Sequence, residues 1–191
     1  MRLTTALYQL RAMPQAFLST YLLSIAGSSP SGIRAYNITT YAGVGGTEGF
    51  QLVNAPLGHL VGNVHVVRMI PNTEDVDIAG MEPYVLDGTG PDIMVTGQLS
   101  GCVFAIAQGV GQLVVGHIQP GGTRLGGAAL RQAVRLTGRF TGHGRVTHVF
   151  GIGDYTQRAH IVGIRNGGTW HIYAQLVASG AGPVTAARQV I

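Results

Sequence analysis

Short apolar runs broken by glycine constrain this chain more than any other feature. Thirty glycines and eight prolines fall between segments such as Val103-Phe104-Ala105-Ile106-Ala107 and Leu113-Val114-Val115. Runs of this kind form buried strands, and the glycines between them supply tight turns. The pattern predicts strands over residues 33–41, 50–53, 62–70, 84–86, 93–96 and 147–150, with a central hairpin at 103–115. A closing hairpin pairs 159–164 with 170–176 through Asn166-Gly167-Gly168. With 191 residues, 46% of them hydrophobic and 10% charged, the chain can bury a substantial core as one domain. The expected fold is α/β in the α+β sense: a β-sandwich-like core of mixed sheets with peripheral helices, in a single domain over 1–191.

Residues 1–30 read differently. Leu3, Leu7, Leu10, Phe17, Tyr21 and Ile25 recur at helical intervals interrupted at Pro14, which predicts two short helices or one kinked helix. A secretory signal is the rival reading, with 16–26 as its apolar region and Ser24-Ile25-Ala26 as a cleavage-like site. Against it, the preceding region is long and carries only Arg2 and Arg11. One later helix is expected over 127–136, with Leu130, Ala133 and Val134 on one side and Arg131 and Arg135 on the other. Residues 43–49, 71–80 and 87–91 read as loops. No apolar run is long enough to span a membrane.

All twelve basic residues are arginine, although lysine is ordinarily among the commonest residues. Lysine is the acceptor for ubiquitin, so its absence gives weak support to a protein working inside a eukaryotic cell; a GC-rich genome, to which the thirty glycines point, accounts for it better. The net charge of +4 does not indicate a nucleic-acid surface. Arg124, Arg131, Arg135, Arg139 and Arg145 are spaced through a helix and its flanks without the interleaved aromatics that stack bases. A basic face for an acidic protein partner fits better. His143, His148, His160 and His171 lack zinc-motif spacing, and a single cysteine excludes thiolate-rich structural metal sites. His171, flanked by Trp170 and Ile172, reads as a satisfied surface histidine. Asp92, after Pro91, reads as a loop residue. Gly43-Val44-Gly45-Gly46 and Gly151-Ile152-Gly153-Asp154 lack the strand, glycine spacing and helix of a phosphate cradle.

Chemistry concentrates at the lone cysteine. Cys102 ends the run Thr96-Gly97-Gln98-Leu99-Ser100-Gly101-Cys102 and precedes a hairpin that leads to His117. A single cysteine with a histidine able to fold back onto it is a candidate thiol nucleophile. With Gly109-Val110 as a two-residue turn, Cys102 falls directly opposite His117, Phe104 opposite Val115 and Ile106 opposite Leu113. A one-residue slip would put sulfur and imidazole on opposite faces, leaving His148 as the alternative base. A free thiol of pKa about 8.5 is mostly protonated at neutral pH, and an adjacent imidazolium from His117 would lower that value. The alternative is a buried cysteine acting as a small hydrophobe.

The Leu99-Ser100-Gly101-Cys102 tetrad, with a strand before it and a strand, turn and histidine after it, resembles the active site of the toxin glutamine deamidases. These include the cytotoxic necrotizing factor catalytic domains and the Burkholderia lethal factor. The interval from Cys102 to His117 is similar to that of the necrotizing factors, and Thr96 is placed like the threonine of the lethal factor. The resemblance covers roughly residues 94 to 119. A chemoreceptor glutamine deamidase is a further relative, compared at Gly116-His117-Ile118-Gln119-Pro120, although its cysteine lies near the N-terminus and its Gly-Ser order is reversed.

The resemblance implies a bacterial toxin or effector, secreted or injected and active in the host cytoplasm. It would hydrolyse a glutamine side chain of a host protein, with Rho-type GTPases and a translation-initiation RNA helicase as precedents. Cys102 would be the nucleophile, His117 the acid and base, and Thr96 the group orienting the imidazole. Backbone N–H groups near Ser100, Gly101 and Cys102 would stabilise the oxyanion. Ser100 would shape the turn, and Gly101 would allow close backbone approach. No metal or organic cofactor is implied, and the expected state is a monomer without nucleic-acid or membrane partners. Transglutamination through the same acyl-enzyme, and a non-catalytic β-rich binding module, remain open alternatives.

Overall fold

The structure, a computed structural model, describes residues 1–27, 30–43, 48–54, 58–70, 78, 80–109, 111–119, 126–178 and 182–191. Two helices open the chain, α1 (Leu3–Ala12) and α2 (Pro14–Thr20). Then come β1 (Leu22–Ile25), β2 (Gly32–Ala42), β3 (Glu48–Val53), β4 (His59–Val67), β5 (Met69–Ile70), β6 (Tyr84–Asp87) and β7 (Ile93–Thr96). The central hairpin is β8 (Val103–Gly109) and β9 (Gln112–Ile118), followed by α3 (Gly127–Thr137). Short strands β10 (Arg139–Phe140), β11 (Gly144–Arg145) and β12 (His148–Phe150) lead to β13 (Arg158–Asn166), β14 (Thr169–Val177) and β15 (Val184–Gln189).

These elements form four layers. The first sheet runs β1-β3-β2-β4-β7-β13-β14-β15, with β4 parallel to β7 at its centre. The second runs β12-β8-β9-β5, with β6 also paired to β9. Leu7, Leu10, Phe17 and Leu18 of α1 and α2 pack with Ile38, Phe50, Val66 and Val162 on one face of the first sheet. Its other face meets the second sheet: Val67, Met94, Ile161 and Ile172 pack with Phe104, Ile106 and Val115. Leu130 and Val134 of α3 cover the far side of the second sheet through Val103, Ala105 and Val114. The fold is thus a single α+β domain with a core dominated by mixed sheets, because the strands alternate apolar residues to both faces and each face needs a cover.

Several expectations need correction. The N-terminal segment is helical only to Thr20; Leu22–Ile25 is a strand parallel to β3 at the edge of the first sheet. Its corner with α2 is held by buried Gln175, which accepts from the Leu23 amide at 2.9 Å and donates to the Leu18 and Tyr21 carbonyls at 2.5 and 2.7 Å. The expected strand over 62–70 starts earlier, at His59, and divides at Arg68, so that Met69–Ile70 crosses into the second sheet beside His117 and Ile118. In the 43–49 loop, Glu48 and Gly49 belong to β3, whereas 44–47 lie outside the described residues, as do 71–77, 79 and Arg124. Asp92 ties the layers together: both its oxygens accept from Arg11 of α1, at 2.7 and 3.0 Å.

Candidate active site

The central hairpin pairs two residues out from the expected register. Gly109 faces Gln112, so Phe104, not Cys102, lies opposite His117. Gly111 occupies the turn at φ +68°, a conformation glycine adopts without a Cβ penalty. A two-residue slip preserves side-chain parity. Cys102 therefore remains on the face of the second sheet that bears His117, but as its diagonal neighbour. Gly116, beside His117, is required by close packing, since a Cβ there would lie 2.8 Å from the Phe140 ring.

Thr96 and His117 meet across the sandwich. Thr96 ends β7 of the first sheet, His117 stands on β9 of the second, and Thr96 Oγ1 lies 2.7 Å from His117 Nδ1. The same hydroxyl donates to the Val67 carbonyl at 2.6 Å. A carbonyl only accepts, so the single hydroxyl proton is committed to Val67 and Thr96 must accept from His117 Nδ1–H. The neutral imidazole consequently carries its lone pair on Nε2, a buried atom with no hydrogen-bond partner among the described residues. Burial pushes the His117 pKa down to about 4, so the ring is neutral at physiological pH.

Cys102 is buried, and its sulfur contacts Met69 Sδ at 3.7 Å. Burial raises its pKa, opposed by a smaller effect of the Ser100 amide directed at the sulfur. Both shifts favour uncharged forms. The resting pair is thus neutral thiol and neutral imidazole, which corrects the expected imidazolium-stabilised thiolate: desolvation penalises each charge and no ion pair is formed to offset it.

The turn before Cys102 is pinned from three directions. Leu99 exchanges backbone hydrogen bonds with Ala159 of β13 at 2.8 and 3.1 Å. Gln98 contacts His160 at 3.2 Å and accepts from Arg158 at 2.7 Å. Tyr155, which the sequence reading missed, accepts from the Gly101 amide at 2.9 Å and donates to the Cys102 carbonyl at 2.8 Å. Gly101 itself sits at φ +108°, where a side chain would be strained. Of the three amides expected to face an oxyanion, Ser100's is directed at sulfur and Gly101's is bound to the phenol. Neither contact engages the Cys102 amide.

Other sequence candidates lie apart from this constellation. His148 is exposed and contacts Thr147 at 3.1 Å; His171 contacts Gln189 at 3.3 Å on the rim of another strand pair. The Gly151–Asp154 segment is a support for Tyr155: Asp154 accepts from the Gly151 amide and takes both Arg131 donors at 2.8 Å. Among the described residues no group of three or more His, Cys, Asp or Glu side chains is placed to hold a metal ion. No helix among them is long and apolar enough to cross a membrane. Comparison with family models gives no match for this chain, and comparison with curated proteins gives none either.

Proposed function

We propose that the protein is a protein-glutamine deamidase of the toxin or effector type, acting on a carboxamide through Cys102 and His117. The observation that carries the reading is the buried Thr96–His117 hydrogen bond at 2.7 Å, which leaves Nε2 as an unpartnered base on the face shared with Cys102. The resemblance around Leu99-Ser100-Gly101-Cys102 supplies the reaction class. Substrate entry displaces the Met69 sulfur, and Cys102 Sγ attacks the glutamine carboxamide carbon while its proton passes to Nε2. The oxyanion forms beside the Cys102 amide. His117 then protonates the amide nitrogen, the C–N bond breaks and ammonia leaves. Water attacks the thioester, gives a proton to Nε2, and releases glutamate with the thiol restored. An amine in place of water gives transglutamination from the same intermediate.

The test is intact-mass analysis of candidate host proteins, beginning with Rho-type GTPases and a translation-initiation RNA helicase. Wild type should add about 1 Da per converted glutamine, the mass difference between NH2 and OH, with ammonia released. Cys102→Ser and His117→Ala should each abolish conversion while remaining folded, and Thr96→Ala should lower it less, by about tenfold. Equal conversion by wild type and both primary variants overturns the dyad. A second reading, a binding module with an inert cysteine, is favoured by the burial of Cys102 under Met69. It requires that native Cys102 resist alkylation over hours, whereas the catalytic reading requires steady reaction as the Met69 cover opens.

A further inference from the structure

We infer that Tyr155 is a positioning residue that aims the Cys102 amide at the oxyanion. The inference rests on the deamidase reading for its natural substrate but not for its test. The phenol bonds the peptides on either side of the one that matters: it accepts from Gly101 N–H and donates to the Cys102 carbonyl. The Gly101–Cys102 peptide lies between them, and its N–H is the donor of the turn that the phenol leaves unused. Holding both flanking peptides holds the Cα atoms at the two ends of the central one, and so restricts this planar unit to rotation about the line between them. One hydroxyl proton and one lone pair meet this requirement with the correct polarity at both ends.

The phenol is itself immobilised. Tyr155 is buried, stacks on Phe150 with ring centroids 5.8 Å apart, and follows Asp154, whose carboxylate is held by Arg131 of α3 and by the Gly151 amide. Helix α3 therefore reaches the nucleophile turn through one ion pair and one ring. A pre-oriented amide requires no rearrangement as charge develops on oxygen, which is where such donors accelerate acyl transfer.

The experiment compares two reactions of the same thiol. Iodoacetamide alkylates sulfur by direct displacement and forms no oxyanion; 4-nitrophenyl acetate acylates it through a tetrahedral oxyanion. Exposure of Cys102 affects both rates, so their ratio isolates the oxyanion donor. Tyr155→Phe should leave the alkylation rate and its pH profile within about twofold of wild type and lower the acylation rate at least tenfold. Arg131→Met, which keeps the phenol but loosens its support, should lower the ratio by a smaller factor and covers the case in which Tyr155→Phe fails to fold. A ratio unchanged in both variants overturns the inference, as does a wild-type ratio no higher than that of free cysteine. Ammonia release from a glutamine side chain, measured separately, decides the deamidase reading, so that the two can fail independently.

Discussion

At His117 one hydroxyl decides which nitrogen holds the proton, and burial decides that there is only one. Thr96 spends its proton on Val67 and receives the Nδ1–H, leaving Nε2 as a base whose pKa is about 4. Cys102 is shifted upward by burial, so it offers little thiolate at neutral pH. Iodoacetamide labelling should therefore climb toward alkaline pH with a midpoint above that of an ordinary thiol, and His117→Ala should leave the midpoint in place, because a neutral ring contributes no charge. Rapid labelling below pH 7 that collapses in His117→Ala would establish an ion pair and refute the neutral one. The placement of Thr96 beside His117 was readable from the motif and its spacing. Tyr155 was not: its partners lie more than fifty positions upstream, and only an Asp-Tyr pair after a glycine marked it.

Among the elements, the strand over Ile93–Thr96 and helix α3 from Gly127 were legible because each is a compact apolar pattern with clear ends. The closing hairpin was too: Asn166 pairs with Thr169 across Gly167 and Gly168, both at positive φ, the demand of a type I′ turn. The central hairpin misled by one choice, since Gly109 and Gly111 flank Val110 and either could serve the turn. Strand β1 was hidden inside an apolar stretch of helical period, and its parallel pairing with β3 leaves no turn to read. Strand β15, Val184–Gln189, carries Ala and Arg where alternation would need larger apolar residues. What secures β1 is the buried amide of Gln175. Gln175→Met keeps the volume but strands the Leu23 amide and two carbonyls, so it should cost about 2–3 kcal/mol and lower the melting temperature by about 4–12 °C. A melt of the purified variant checks this, and an unchanged transition would show that water replaces the side chain.

For the molecule as a whole, burying neutral histidines in a domain of few charges makes acid its weak point. His117 and His160 both have folded pKa values of about 4 against an ordinary 6.5. Between those values the unfolded chain binds protons that the folded one refuses, so stability is full above pH 6.5 and declines as pH falls toward 4. Each histidine accounts for about 3 kcal/mol over that window. Urea midpoints at pH 7 and pH 4.5 should show the fall, and His160→Gln should recover part of it, His117 and His65, both lowered by burial, carrying the rest. A midpoint independent of pH over this range would mean that neither ring is held neutral.

The hydrogen bond from Thr96 to His117 joins residues that belong to different sheets. Neither sheet alone contains a base of defined tautomer: β9 without β7 bears an imidazole free to exchange its proton between nitrogens, and β7 without β9 bears a threonine with nothing to orient. The tautomer of His117 is set only when the two layers close on each other. The fixed tautomer is therefore a property of the docked sheets, absent from a chain that has built its hairpins but not its interior.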